Sequence, residues 1–186
     1  MAELAFTPPP PRADLLRQLR ARLDRLVPGL RIVAEDVLGA EARIDFVGVE
    51  ASGRTLLVIV GTADDDLALV ARALAQRAWI EARLRDWLQL APGLGLRPEA
   101  GVRVWLLAPR FDPESHAAAR AAGGIGLGVY RCVRNGAGGD VLIEAVSEAE
   151  ERPLPRTAAR SAPARFRTGL DDAELGLTAE ERREFE

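Results

Sequence analysis

Leu16, Leu19, Leu23 and Leu26 recur three and four residues apart among arginines, which is the spacing of one apolar helix face. Asp14 suits the positive end of that helix, and Pro28-Gly29 stops it. Beyond the stop the period changes. Leu30 to Leu38 and Ala42 to Val49 alternate as strands do, with Gly39 at the turn between them and Ser52-Gly53 at the next. Arg54 to Val60 then carries the unbroken apolar run Leu56-Leu57-Val58-Ile59-Val60, the pattern of a central strand covered on both faces. Three strands joined by short turns predict an antiparallel meander.

A second helical period follows. Asp64-Asp65-Asp66 supplies acids for a helix start, and Leu69, Ala73, Ile80, Leu84, Trp87 and Leu88 share a face, so one long helix is expected from about Asp66 to Leu90. Pro92-Gly93 and Gly95 end it. Val102 to Ala108 reads as another buried strand, and Pro113 to Ala122 as a short helix starting at Asp112. Ile125 to Val133 and Val141 to Val146 close the pattern as strands around the turn-rich Asn135 to Gly139. The order is αβββαβ(α)ββ, which predicts an α/β core with a mixed central sheet flanked by helices.

The flanks differ in character. Residues 1–12 contain Pro8-Pro9-Pro10-Pro11 and read as an extended N-terminal tail before a domain at 13–149. Residues 150–186 read as a second tail: Arg152, Arg156, Arg160, Arg165 and Arg167 come without an intervening acid, and the chain then turns acidic, with a capping-box pattern at Thr178 and Glu181.

Composition narrows the chemistry. The chain has 186 residues, a formal net charge of -3, and arginine but no lysine. A polycationic wrapper of nucleic acid is thereby excluded, and every cation can bind phosphate but cannot act as a base. One cysteine, Cys132, and one histidine, His116, exclude an internal disulfide and a His- or Cys-rich metal cluster. A Ser/His/Asp arrangement would depend on His116, which fits better as a surface residue near a helix start. No charged n-region followed by an apolar run and no stretch of 18 apolar residues occurs, so a cytoplasmic protein without a membrane span is expected.

The hairpin Arg43-Ile44-Asp45-Phe46-Val47-Gly48-Val49, the turn at Gly53-Arg54 and the strand ending Ile59-Val60-Gly61 resemble the PD-(D/E)XK nuclease superfamily, a restriction-endonuclease-like core with this element order. The resemblance implies an acid early on the second strand, here Asp45, and an acid-x-lysine triplet ending the third. Continuing the register puts Ile59 where the second acid belongs and Gly61 at the lysine. Phosphodiester cleavage with Mg²⁺ needs several carboxylates to hold the hard cation, and the lysine offsets developing charge. Asp45 alone is therefore a vestigial candidate and at most a weak metal ligand.

Glu35, Glu50 and Asp64 are the acids that could migrate into such a site, although each also fits a solvated strand, turn or helix start. Gln76, followed by Trp79, half-matches a Gln-x-x-x-Tyr pattern that the resemblance places near the site. Arg43, Arg54, Arg72 and Arg77, with Arg83, Arg85 and the tail arginines, could bind phosphate or simply form a solvated face. Gly124-Ile125-Gly126-Leu127-Gly128 leads from a helix into a strand, the reverse of a dinucleotide loop, and is read as close backbone packing.

The expected function is that of a non-catalytic nuclease-fold protein, an interaction or scaffold module. No cofactor is expected, the partner is unknown (another protein or a second copy), and nucleic acid is possible. The alternative is a divergent Mg-dependent nuclease using Asp45 with a migrated carboxylate.

Overall fold

A computed structural model of the chain describes residues 5–62, 66–135 and 138–147. Asp64, the tail arginines and the Thr178–Glu181 pattern lie outside the described residues.

The N-terminal segment is more than a lead-in. Ala5–Phe6 forms a short strand, β1, and Pro11 is the cap residue of α1 (Arg12–Arg20), so Arg12 is helical. Proline is tolerated there because the first amides of a helix lack internal partners in any case. Leu15 and Leu19 fill the buried stripe of α1, and Leu23 extends it through a 3₁₀ turn at Leu23–Arg25. The stripe is thus centred on Leu15, with Leu16 only partly buried.

The meander follows as β2 (Arg31–Leu38), β3 (Arg43–Val49) and β4 (Thr55–Val60), each antiparallel to the next. After α2 (Asp66–Glu81) and α3 (Leu84–Leu90), β5 (Val102–Ala108) returns parallel to β4. α4 (Pro113–Ala122) then leads into β6 (Ile125–Asn135), parallel to β5, and β7 (Gly138–Ser147) closes a hairpin on β6. The described strands form one mixed seven-stranded sheet ordered β1-β6-β5-β4-β3-β2, with β7 on β6.

Alternation along the central strands sorts the core into two layers. Leu57 and Ile59 of β4 face α2 and α4, with Leu69, Ala73, Ile80, Leu106 and Leu127. Leu56, Val58 and Val60 face α1, with Leu15, Leu19, Trp105 and Tyr130. All six residues of β4 are buried, as expected of a strand covered on both sides.

The single long helix expected from Asp66 to Leu90 is instead two helices broken at residues 82–83. An unbroken helix would bond the Arg83 amide to the Trp79 carbonyl. Here that carbonyl accepts from the Arg83 guanidinium (3.0 Å), and the Arg83 amide turns to Ile80 O (2.8 Å). The guanidinium also lies over the Trp79 ring, 4.1 Å from its centroid, where a cation is attracted to the π face. Periodicity could not reveal the break, because Ile80 and Leu84 stay on one buried face across it.

Two smaller expectations hold. Asp112 caps α4 by accepting from Ser115 N (2.7 Å). A Cβ on Gly126 would stand 2.9 Å from the Trp105 ring and one on Gly128 2.7 Å from Leu107, so these glycines serve close packing.

Candidate functional site

The ladder between β3 and β4 runs from Val49↔Thr55 to Phe46↔Val58. No backbone pair carries it on to Asp45. Past the ladder, the Val60 amide donates to Asp45 Oδ2 (2.7 Å), so a side chain continues the pairing that the backbone leaves off. Arg12, reaching from the first turn of α1, donates through one Nη2 nitrogen to Asp45 Oδ1 (2.6 Å) and to the Val60 carbonyl (3.2 Å). Both carboxylate oxygens are engaged by the protein.

Asp45 is only 5% exposed, and burial raises its pKa against the opposing pull of the Val60 amide and the Arg12 charge. The folded state therefore holds the Asp45 proton more tightly than the unfolded chain does. Stability linked to Asp45 is fully present below the ordinary value of 3.8 and is lost as pH rises through the raised pKa. Urea titrations of wild type and Asp45→Asn across pH 3 to 8 are expected to show wild type losing ground to the variant over that rise. A constant difference would mean that burial does not control this carboxyl.

The positions at which the resemblance puts the second acid and the lysine are closed. Ile59 is 1% exposed in the layer beneath α2, and a Cβ on Gly61 would stand 2.5 Å from the Leu69 side chain. An acid at Ile59 would be cut off from water, and a side chain at Gly61 would have to displace that of Leu69.

The acids proposed as substitutes divide. Glu35 does share a hollow of 330 Å³ with Asp45, and so does Asp36, which the sequence reading did not single out. Each is turned to its own arginine: Arg20 Nε to Glu35 Oε1 at 2.5 Å, and Arg43 to Asp36. Asp36 carries φ 54°, a left-handed conformation that aspartate tolerates better than most residues. Glu50 lies at the far end of β3, about 16 Å from Asp45 at strand rise, and faces Arg103 at 3.7 Å. Among the described residues no group of three or more His, Cys, Asp or Glu side chains is arranged to hold a metal ion. A divalent cation fits this site poorly, because the one buried carboxylate already faces a cation and an amide.

Gln76 is buried at 1%, inside the apolar face of α2 rather than at its edge. Its Oε1 accepts from the Ala40 amide (3.1 Å) and pins the β2–β3 turn to α2. A Cβ on Gly39 would fall 1.6 Å from that oxygen. Gly39→Ala is expected to expel the Gln76 amide and cost about 1–3 kcal/mol in urea denaturation, the penalty of a buried polar group losing its partner. A loss too small to measure would show that Gln76 is replaceable.

The phosphate candidates do not gather at Asp45. Arg43 pairs with Asp36, Arg54 donates to Ala100 O (3.0 Å), and Arg77 donates to Gly123 O (2.6 Å) while lying 4.0 Å from Glu81. Arg72, half-buried on α2, also has an interaction of its own. His116 packs edge-on to Phe111, with ring centroids 6.0 Å apart. The residue that the sequence reading missed is Arg12, assigned to the tail; its signal was Pro11, which suits a helix start.

Strand order and helix placement give an α/β core with a mixed central sheet flanked by helices, the architecture that the resemblance implied. No protein-family model matches the sequence, and no curated protein matches it either. Among solved structures the chain is similar to a repair endonuclease from Pyrococcus abyssi (15% identity, 66% of this chain and 48% of that chain, TM-score 0.46). It is also similar to the EndoMS–dsDNA2 complex (16% identity, 57% and 42% coverage, TM-score 0.35). A third is Pyrococcus furiosus SfsA in complex with Ca²⁺ (14% identity, 72% and 61% coverage, TM-score 0.37). The chain thus spans about half the length of the first of these (48%). No helix among the described residues is long and apolar enough to cross a membrane.

Proposed function

We propose that this chain is a nuclease-fold protein that does not cleave phosphodiesters and acts as an interaction or scaffold module. The observation that carries the reading is the closure of Asp45: Arg12 and the Val60 amide hold its two oxygens, while Ile59 and Gly61 sit packed where an acid and a lysine would be needed. A carboxylate already neutralised by guanidinium has little left to offer a hydrated Mg²⁺ ion. No cofactor is required for the proposed role.

Single- and double-stranded DNA and RNA incubated with the protein and Mg²⁺ or Mn²⁺ should remain intact. Cleavage that disappears in Asp45→Ala would overturn the reading. One observation favours the nuclease alternative: Glu35 and Asp36 share the hollow of Asp45. That alternative requires their arginines to release them, so it predicts Mn²⁺ binding in calorimetry that is lost in Glu35→Gln. If nucleic acid is the partner, binding without cleavage should weaken steeply as salt rises.

A further inference from the structure

β6 has more neighbours than a strand ordinarily has, and this opens a gap in the sheet. β7 occupies one edge of β6 from Leu127 to Asn135. β5 and β1 must therefore share the other edge, β5 against Ile125–Val129 and β1 against Val133–Arg134. β5 ends at Ala108, and the chain before α1 rejoins β6 only where Thr7 N donates to Cys132 O (2.9 Å). Between them Tyr130 and Arg131 face an interruption in the sheet.

The interruption is a cleft of 640 Å³, within the range of small-molecule sites. It lies at the carboxyl ends of the parallel strands β4 and β5, where open α/β sheets bind ligands. Gly61 and Pro109 mark those strand ends, Leu15 and Tyr130 contribute apolar wall, and Phe6 with Pro9-Pro10 forms the opposite side. Tyr130 is already satisfied, since its hydroxyl donates to Gly61 O (3.1 Å).

The charge of the lining is one-sided. Its charged residues are Arg12 and Arg131, and no acid is among the described residues that line it. Arg12 commits its Nη2 to Asp45 and Val60, which leaves its remaining N–H groups for a ligand. Arg131 stacks over Phe6, 5.5 Å from the ring centroid, and is otherwise exposed. An apolar trough with two guanidinium groups at its rim complements one kind of small molecule.

We propose that this cleft binds an organic anion with an apolar body, seated against Leu15, Tyr130 and Phe6, with its acid group held by Arg131 and Arg12. The proposal is independent of whether Asp45 supports cleavage.

Isothermal titration of the full chain with decanoate tests it, with decanol as the neutral match. Decanoate should bind at one site per chain and at least tenfold more tightly than decanol. Arg131→Ala should weaken it about tenfold, the scale of a lost charge-assisted hydrogen bond, and Thr62→Trp, at an exposed lining position, should block the cleft. Absence of binding overturns the proposal, as does equal binding of decanol or binding unchanged in both variants. Displacement of decanoate by a single-stranded oligonucleotide but by no other small organic anion would also overturn it, making the cleft a nucleic-acid surface.

Discussion

Ile59→Asp combined with Gly61→Lys, the pair that would write the missing acid and lysine back into the sequence, is expected to unfold the domain rather than create a nuclease. Ile59 is 1% exposed in the layer covered by α2, so an aspartate there must ionise without water or stay protonated at neutral pH. Either choice costs about 3–5 kcal/mol, the range for an uncompensated buried charge. At Gly61 any side chain starts 2.5 Å from Leu69, adding about 1–3 kcal/mol of overpacking. The two new groups would share a face and could pair, but a buried pair rarely recovers the desolvation of both ions. Together the costs, about 4–8 kcal/mol, match the lower part of an ordinary domain's stability, about 5–15 kcal/mol, and suffice to unfold a domain of that stability. Circular dichroism and urea denaturation check the result, with Ile59→Val as a mild control losing about 1 kcal/mol. A folded double variant that cleaves DNA with Mg²⁺ would show that the site was only dormant.

Arg12→Ala is expected to cost about 2 kcal/mol, less than a fully buried pair because water can partly replace a guanidinium whose side chain is 53% exposed. The loss has two parts. Asp45 keeps the Val60 amide but loses its counter-charge, and the Val60 carbonyl loses a donor. Asp45→Ala also destabilises, by stranding the Val60 amide beyond the end of the β3–β4 ladder, at about 1–3 kcal/mol. Both substitutions break the same contact, so the double variant should lose at least about 1 kcal/mol less than the sum, the usual sign of direct coupling. Additive losses in a urea-denaturation cycle would mean that Arg12 and Asp45 do not act as a unit in solution.

These two experiments probe opposite aspects of the proposed function. The first asks whether positions 59 and 61 can ever accept catalytic groups. The second asks whether Asp45 now serves to close the splay between β3 and β4. A protein in which both hold keeps its acid for architecture.

Much of the fold was legible because burial imposes a period. The apolar run of β4 showed a strand covered on both sides, and Asp112 before Pro113 marked the start of α4. The break between α2 and α3 was not legible, because it depends on a guanidinium taking a carbonyl four residues back, which leaves the apolar period unchanged. Of the site, Asp45 and the apolar nature of Ile59 and Gly61 could be read directly. The residue that neutralises Asp45 could not.

By itself the sequence determined the order of the main elements from α1 onward apart from the break between α2 and α3, the burial of the central strand on both faces and the absence of lysine from the chain, since composition and periodicity are properties of neighbours along the chain. Only the tertiary structure decided that Arg12 reaches across 33 positions to Asp45, that Gln76 holds the β2–β3 turn, and that β1 and β5 share an edge of β6 with a cleft between them. Those contacts join residues distant in sequence. They are set by how helices and strands pack together, which no local pattern records.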